Sequence, residues 1–202
     1  MRLIGMLDSP YVRRTAVSLK LMGLPFQHEA VSVFRDYEAF AAVNPVVKAP
    51  TLVLDDGTVL MDSTLILEHL EPLASPECCL TPTDVTARAR ALRIVGLALA
   101  ACEKAVQIVY ERELRPSEKQ HQPWIDRVRG QLLAATRLLD DELKAGGWLF
   151  GRPLQADVTA AITWRFVQEK IADVVDRKNH PALVQLSAQA EALPEFMSTP
   201  FT

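Results

Sequence analysis

Three short stretches carry the residue types that chemistry needs. Ser9-Pro10 opens a run of helix-forming residues, Asn44-Pro45-Val46-Val47-Lys48-Ala49-Pro50 leads into an apolar segment, and Asp62-Ser63 stands before Leu65, Ile66 and Leu67. Ser is a favoured N-cap and Pro a favoured first helical residue, so Ser9-Pro10 needs no site to explain it. The same geometry leaves N–H groups and the positive end of a helix dipole available to an anion. A thiolate is such an anion. A thiol of pKa about 8.5 is only slightly ionised near neutrality, and bringing it to about 6.5 requires about 2.7 kcal/mol. The dipole supplies roughly 0.3–1 kcal/mol and a hydrogen bond to a charged group roughly 1.5–3 kcal/mol. A hydroxyl at a helix N-terminus combines the two, which makes Ser9 the candidate donor. It is not read as a covalent nucleophile, because no His or Lys stands in a partner motif.

The other two stretches also have a plain reading and a chemical one. Pro50 is tolerated at the start of a strand, where its missing N–H does little harm. With a cis Ala49–Pro50 bond the chain would turn sharply and leave the Ala49 backbone to pair with a peptide-like ligand. The sequence leaves the isomer open. Asp62-Ser63 reads first as a helix cap. As a site, Ser63 and the helix N–H groups would take a carboxylate while Asp62 takes an ammonium. Two helix N-termini and an edge of backbone suit a small, anionic, peptide-like thiol.

These residues need elements to position them. Leu3–Leu7 reads as a strand, Pro10–Met22 as a helix and Gln27–Val33 as a second strand, with Gly23 and Pro25 breaking the connection. Strands joined through a helix of that length are almost always parallel. Thr51–Leu54 and Thr58–Met61 flank Asp55-Asp56-Gly57, an Asp-Gly hairpin signal. A helix then follows Asp62-Ser63 and ends near Pro72. The order is βαβ, an irregular stretch, then ββα. Residues 76–83 hold two prolines and turn formers and read as a linker between a first domain, 1–75, and a second, 84–202. Beyond the linker the strand signal vanishes. Helical patterns cover 84–114 and 122–144, the latter with Val128, Leu132, Leu139 and Leu143 at helical spacing, and further helices fall near Ala156–Lys170 and Pro181–Leu193. The expected fold is α/β plus all-α.

Composition narrows the function. With 202 residues, 49% hydrophobic and 23% charged, the chain can bury enough surface to fold, and disorder is excluded. Residues 1–76 hold 6 Lys/Arg against 9 Asp/Glu and residues 77–202 hold 16 of each, so neither part offers a basic footprint for nucleic acid or an anionic membrane. No secretory h-region or membrane-spanning run is present, which points to a cytoplasmic protein. Cys78, Cys79 and Cys102 have neither disulfide nor metal-ligand spacing, and His28, His69, His121 and His180 show none either, so no metal is expected.

In order and spacing these pieces are specific. A strand before Ser9-Pro10-Tyr11-Val12-Arg13, Asn44-Pro45-x-x-Lys48-Ala49-Pro50-x-Leu52, Asp62-Ser63 before a helix, and a helical C-terminal half resemble the glutathione S-transferase superfamily over nearly the whole chain. Ser9 stands where thiol-transferase-like members have Cys, which resembles the bacterial Ser-type branch. The resemblance implies a thioredoxin-like N-terminal domain, a helical-bundle C-terminal domain, a homodimer and glutathione as co-substrate. By motif, Ser9 would face the sulfur, Lys48, Ala49 and Pro50 would line the cysteinyl backbone, and Asp62 with Ser63 would bind the γ-glutamyl end. A small-molecule electrophile would sit at the domain junction, with Tyr11, Tyr110 and Trp164 as candidate walls; the last two suit a core or dimer position as well. Gly151 to Asp157 resembles the family's buried capping segment, with Asp157 structural. The sequence departs from the pattern at Val47, where Gly is usual, at Leu154, where Ser or Thr is usual, and at Asp62, often Glu. The implied function is conjugation of the glutathione thiolate to an electrophile; the alternative is a glutathione-transferase-like binding or regulatory protein without significant turnover.

Overall fold

The computed structural model describes residues 1–202. Its first unit, residues 1–81 with 192–202, is built on a four-stranded sheet. β1 (Arg2–Ile4) pairs parallel with β2 (Gln27–Glu29) through the helix α1 (Pro10–Leu21). After α2 (Tyr37–Val43), β3 (Thr51–Val53) runs antiparallel to β1, and β4 (Val59–Met61) antiparallel to β3. The order β2-β1-β3-β4, closed by α3 (Ser63–Leu70), is the thioredoxin-like arrangement. The Asp-Gly turn forms as the sequence predicts: Gly57 has φ +86°, and Leu54 N–H donates to the Thr58 carbonyl at 2.9 Å. Leu3 and Leu52 from the sheet, Val12, Ala16 and Leu19 from α1, and Ile66, Leu67 and Leu70 from α3 make one buried core. At ~25 cal/mol per Å² such side chains supply the main driving force.

Within the sheet unit the elements depart from the sequence reading in three places. β1 ends at Ile4 rather than Leu7, because Gly5 at φ +138° turns the chain. β2 ends at Glu29 rather than Val33. The stretch read as irregular contains α2, of which Phe40 alone is buried.

The second unit, residues 82–191, is all helical: α4 (Val85–Glu113), α5 (Gln122–Leu143), α6 (Gln155–Lys170) and α7 (Pro181–Glu191). α4 packs on α5 and α6, and α7 on α5 and α6. Buried carboxylates tie it together. Asp140 accepts from Leu183 N–H at 2.9 Å, holding the start of α7. Asp157, fully buried, accepts from Leu149 N–H and Leu154 N–H, each at 3.0 Å. This keeps one half of a capping box; Leu154 has no side-chain acceptor to supply the other. Burial pushes the Asp157 carboxyl above its usual range, against the pull of those N–H donors.

The expected second domain ran to residue 202, but residues 192–202 belong to the first unit. In the short helix α8 (Pro194–Met197), Phe196 is buried beneath the Arg13 guanidinium, 5.6 Å from the ring centroid, and Arg13 Nε donates to the Thr199 carbonyl at 2.8 Å. A buried arginine on α1 thus finds partners in the tail. No helix is long and apolar enough to cross a membrane.

Candidate active site on the first unit

Three segments that the sequence singles out lie at the ends of sheet strands and at two helix starts. Ser9 is the N-cap of α1, with extended backbone at φ −71°, ψ 120° and Pro10 at the first helical position. Its Oγ accepts from Val12 N–H at 3.4 Å, the long end of a hydrogen bond, and its hydroxyl proton is not used by that bond. The Ser9 N–H donates to the Met6 carbonyl at 3.2 Å, fixing the turn that presents it.

Gly5 explains how this turn meets the proline junction. A Cβ at Gly5 would lie 2.6 Å from Val12 Cγ2 and 3.3 Å from Ala49 Cβ. Only glycine lets the end of β1 pass so close to both. A ring nitrogen of His28, 2.8 Å from the Gly5 carbonyl, braces the same point.

Between α2 and β3, Ala49–Pro50 is cis. The loop around it is knit by Asn44, which is buried: Nδ2 donates to Thr51 Oγ1 at 2.8 Å, Oδ1 accepts from Val46 N–H at 3.1 Å, and Thr51 Oγ1 donates to the Lys48 carbonyl at 2.8 Å. Neither backbone group of Ala49 enters the chain's own backbone hydrogen bonds. Val47 sits at φ +53°, in the left-handed region that a β-branched residue seldom adopts.

Asp62 is the N-cap of α3 at φ +70°, ψ 122°, and its Oδ1 accepts from Thr64 N–H at 2.9 Å. Its Oδ2 is 3.9 Å from Lys48 Nζ, with both side chains about half exposed, so the pair adds little stability. Backbone in this region at a half-exposed polar residue is typical of functional positions. Ser63 follows, buried, and its Oγ accepts from Arg14 Nη1 at 3.2 Å.

The sequence reading missed Gly5, Asn44 as a brace, and Arg14. The aromatic candidates separate. Tyr11 lies in the first turn of α1, and Tyr110 is 46% exposed near the end of α4. Trp164 is 4% exposed within the helical unit, its ring 5.3 Å from that of His180. A ring enclosed in this way packs in the core of the helical unit. Cys78, Cys79 and Cys102 are free thiols, and no cluster of His, Cys, Asp or Glu is arranged to hold a metal ion.

Comparison with known proteins gives these features a context. The family model described as "Glutathione S-transferase, N-terminal domain" matches residues 3–77, a span that holds all three segments. The chain is 34% identical over 155 residues to a maleylacetoacetate isomerase of Pseudomonas aeruginosa, covering 72% of this chain and 71% of that one. The chain belongs to the glutathione S-transferase superfamily. Among solved structures, a glutathione S-transferase of Methylobacterium radiotolerans in complex with glutathione sulfonate superposes with a TM-score of 0.91 at 28% identity, covering 100% of this chain and 95% of that one. One of Methylobacillus flagellatus with glutathione bound gives 0.90 at 27% identity, covering 100% and 99%. Membership accounts for the βαβ-ββα unit followed by helices.

Proposed function

We propose that this chain is a cytoplasmic, homodimeric glutathione transferase of the Ser type, which ionises bound glutathione and adds its sulfur to a small electrophile. The observation that carries the reading is the combination in one unit of two capped helix N-termini and a cis-proline junction with unspent Ala49 backbone groups. The Ser9 hydroxyl donates a hydrogen bond to the thiolate, and the α1 dipole adds to that stabilisation. Ala49 pairs with the cysteinyl backbone beside Pro50 and Lys48. Ser63 takes the γ-glutamyl carboxylate and Asp62 the ammonium. Catalysis then comes from ionisation and positioning. Val59, Met61 and Leu65, exposed along the edge strand β4 and on α3, are apolar groups that a second copy would cover.

Isothermal titration with glutathione tests the site, and turnover of a chlorodinitrobenzene-type electrophile tests the reaction. Binding in the millimolar range or tighter is expected; no heat at millimolar glutathione overturns the proposal. The similarity to a maleylacetoacetate isomerase favours a second reading, in which the same thiolate adds reversibly to an unsaturated acid and leaves after a bond rotation. Isomer exchange without net consumption of glutathione distinguishes it from conjugation.

A further inference from the structure

Arg14 carries no motif, and on an amphipathic helix an arginine ordinarily points to water. Here it is 2% exposed, and Nη1 donates both to Ser63 Oγ at 3.2 Å and to Thr64 Oγ1 at 3.3 Å. A guanidinium has donors and no acceptor. Each hydroxyl oxygen is therefore the acceptor in its bond, and each hydroxyl proton must be aimed elsewhere. The Thr64 N–H is already given to Asp62 Oδ1 at 2.9 Å, so it is not offered to an arriving anion. Among the donors left at the start of α3 are the Ser63 N–H and a Ser63 O–H whose direction the arginine has set. The guanidinium also places a positive charge behind that hydroxyl.

We propose that Arg14 is a positioning residue for the carboxylate of the γ-glutamyl end: acting through Ser63, it orients the hydroxyl toward that group and raises affinity for it. The inference rests on the glutathione reading above and deepens it. It assigns Arg14 to recognition of one end of the ligand and gives it no part in ionising the sulfur. A group that binds ground state and transition state alike changes KM and leaves kcat.

The test compares the affinity of wild type, Arg14→Gln and Arg14→Lys for glutathione and for its analogue lacking the γ-glutamyl α-carboxylate. Wild type prefers glutathione. Arg14→Gln loses roughly tenfold to hundredfold in glutathione affinity, as for a hydrogen bond to a charged group. Its affinity for the analogue, its kcat at saturating glutathione and the pKa of the bound thiol stay at wild-type values. Arg14→Lys keeps the cation on a shorter side chain with a compact head, which meets the two hydroxyls in a different geometry, and it retains part of the preference. If Arg14→Gln does not fold, the Lys variant decides: a preference equal to wild type overturns the assignment. An equal loss for both ligands, or a shifted thiol pKa, assigns Arg14 a merely structural role and also overturns it. Wild type binding neither ligand overturns the glutathione reading itself, an outcome distinct from every result confined to Arg14.

Discussion

The two units use their buried polar groups in opposite ways. In the helical unit, Asp157 accepts two N–H groups, Asp140 caps the start of α7, and His180 lies between the Asp176 carbonyl at 3.0 Å and the ring of Trp164. Each of these three groups is consumed in holding helices and loops together. In the first unit the buried groups point toward an edge that is left incomplete. Asn44 braces a loop whose Ala49 backbone is unspent, Arg14 fixes a hydroxyl without consuming its proton, and Ser9 holds Val12 N–H at only 3.4 Å. The backbone follows the same division: the only residues other than glycine with positive φ, Val47 and Asp62, both lie in the first unit beside that edge. Satisfied networks build a scaffold; unsatisfied ones, held rigid by satisfied neighbours, build a receptor.

The largest effect that can break this contrast is expected at Asp157. Asp157→Ala leaves the Leu149 and Leu154 N–H groups without an acceptor and costs about 2–5 kcal/mol. Denaturant unfolding measures the loss, and glutathione affinity of the folded protein stays the same. The pH dependence has a definite sign. Because burial raises the Asp157 carboxyl pKa in the folded protein, the native state holds the proton more tightly than the unfolded chain. Its contribution to stability therefore falls as pH rises from 3.8, the ordinary value, through the raised native one, and is constant above. Asp157→Asn, although less stable overall, lacks that slope.

Gly5→Ala is next in size. Its Cβ would lie 2.6 Å from Val12 Cγ2, on backbone at φ +138°, so about 1–3 kcal/mol of stability is lost. Unlike the Asp157 change, it also displaces the point where the end of β1 passes Val12 and Ala49, and glutathione affinity falls with stability. Equal binding by Gly5→Ala and wild type would break the link between this close approach and the site. Val47→Gly is the smaller and opposite change. A valine at φ +53° is replaced by the residue that adopts this region freely, and thermal unfolding should show a gain of about 1 kcal/mol.

How far the sequence foretold these positions follows from how local their causes are. Ser9-Pro10, the Asp-Gly turn and Asp62-Ser63 are local devices, and each formed the cap or turn that its residues prefer. The long helices were legible from their apolar stripes. α2 was not, because Phe40 is its one buried residue and a single position sets no period. Arg14 was invisible because its partners, Ser63 and Thr64, lie about 50 positions away in the chain. The sequence reading carries the helical domain on through the tail to residue 202. The tail's place is set by Arg13 and the Phe196 ring, which no local pattern reveals. Val47 departs from the family pattern, and the positive φ gives the reason that glycine fits there.

The central claim is that the exposed edge of the first unit holds glutathione as a thiolate, with Ser9 as the donor. Titrating the ultraviolet thiolate absorbance of bound glutathione tests it most directly, in wild type and in Ser9→Ala. The account predicts a bound thiol pKa well below the free value of about 8.5 in wild type, rising by about 1–2 in Ser9→Ala with a matching loss of turnover near neutrality. Bound glutathione that titrates like the free thiol, or a Ser9→Ala variant whose titration matches wild type, would contradict it.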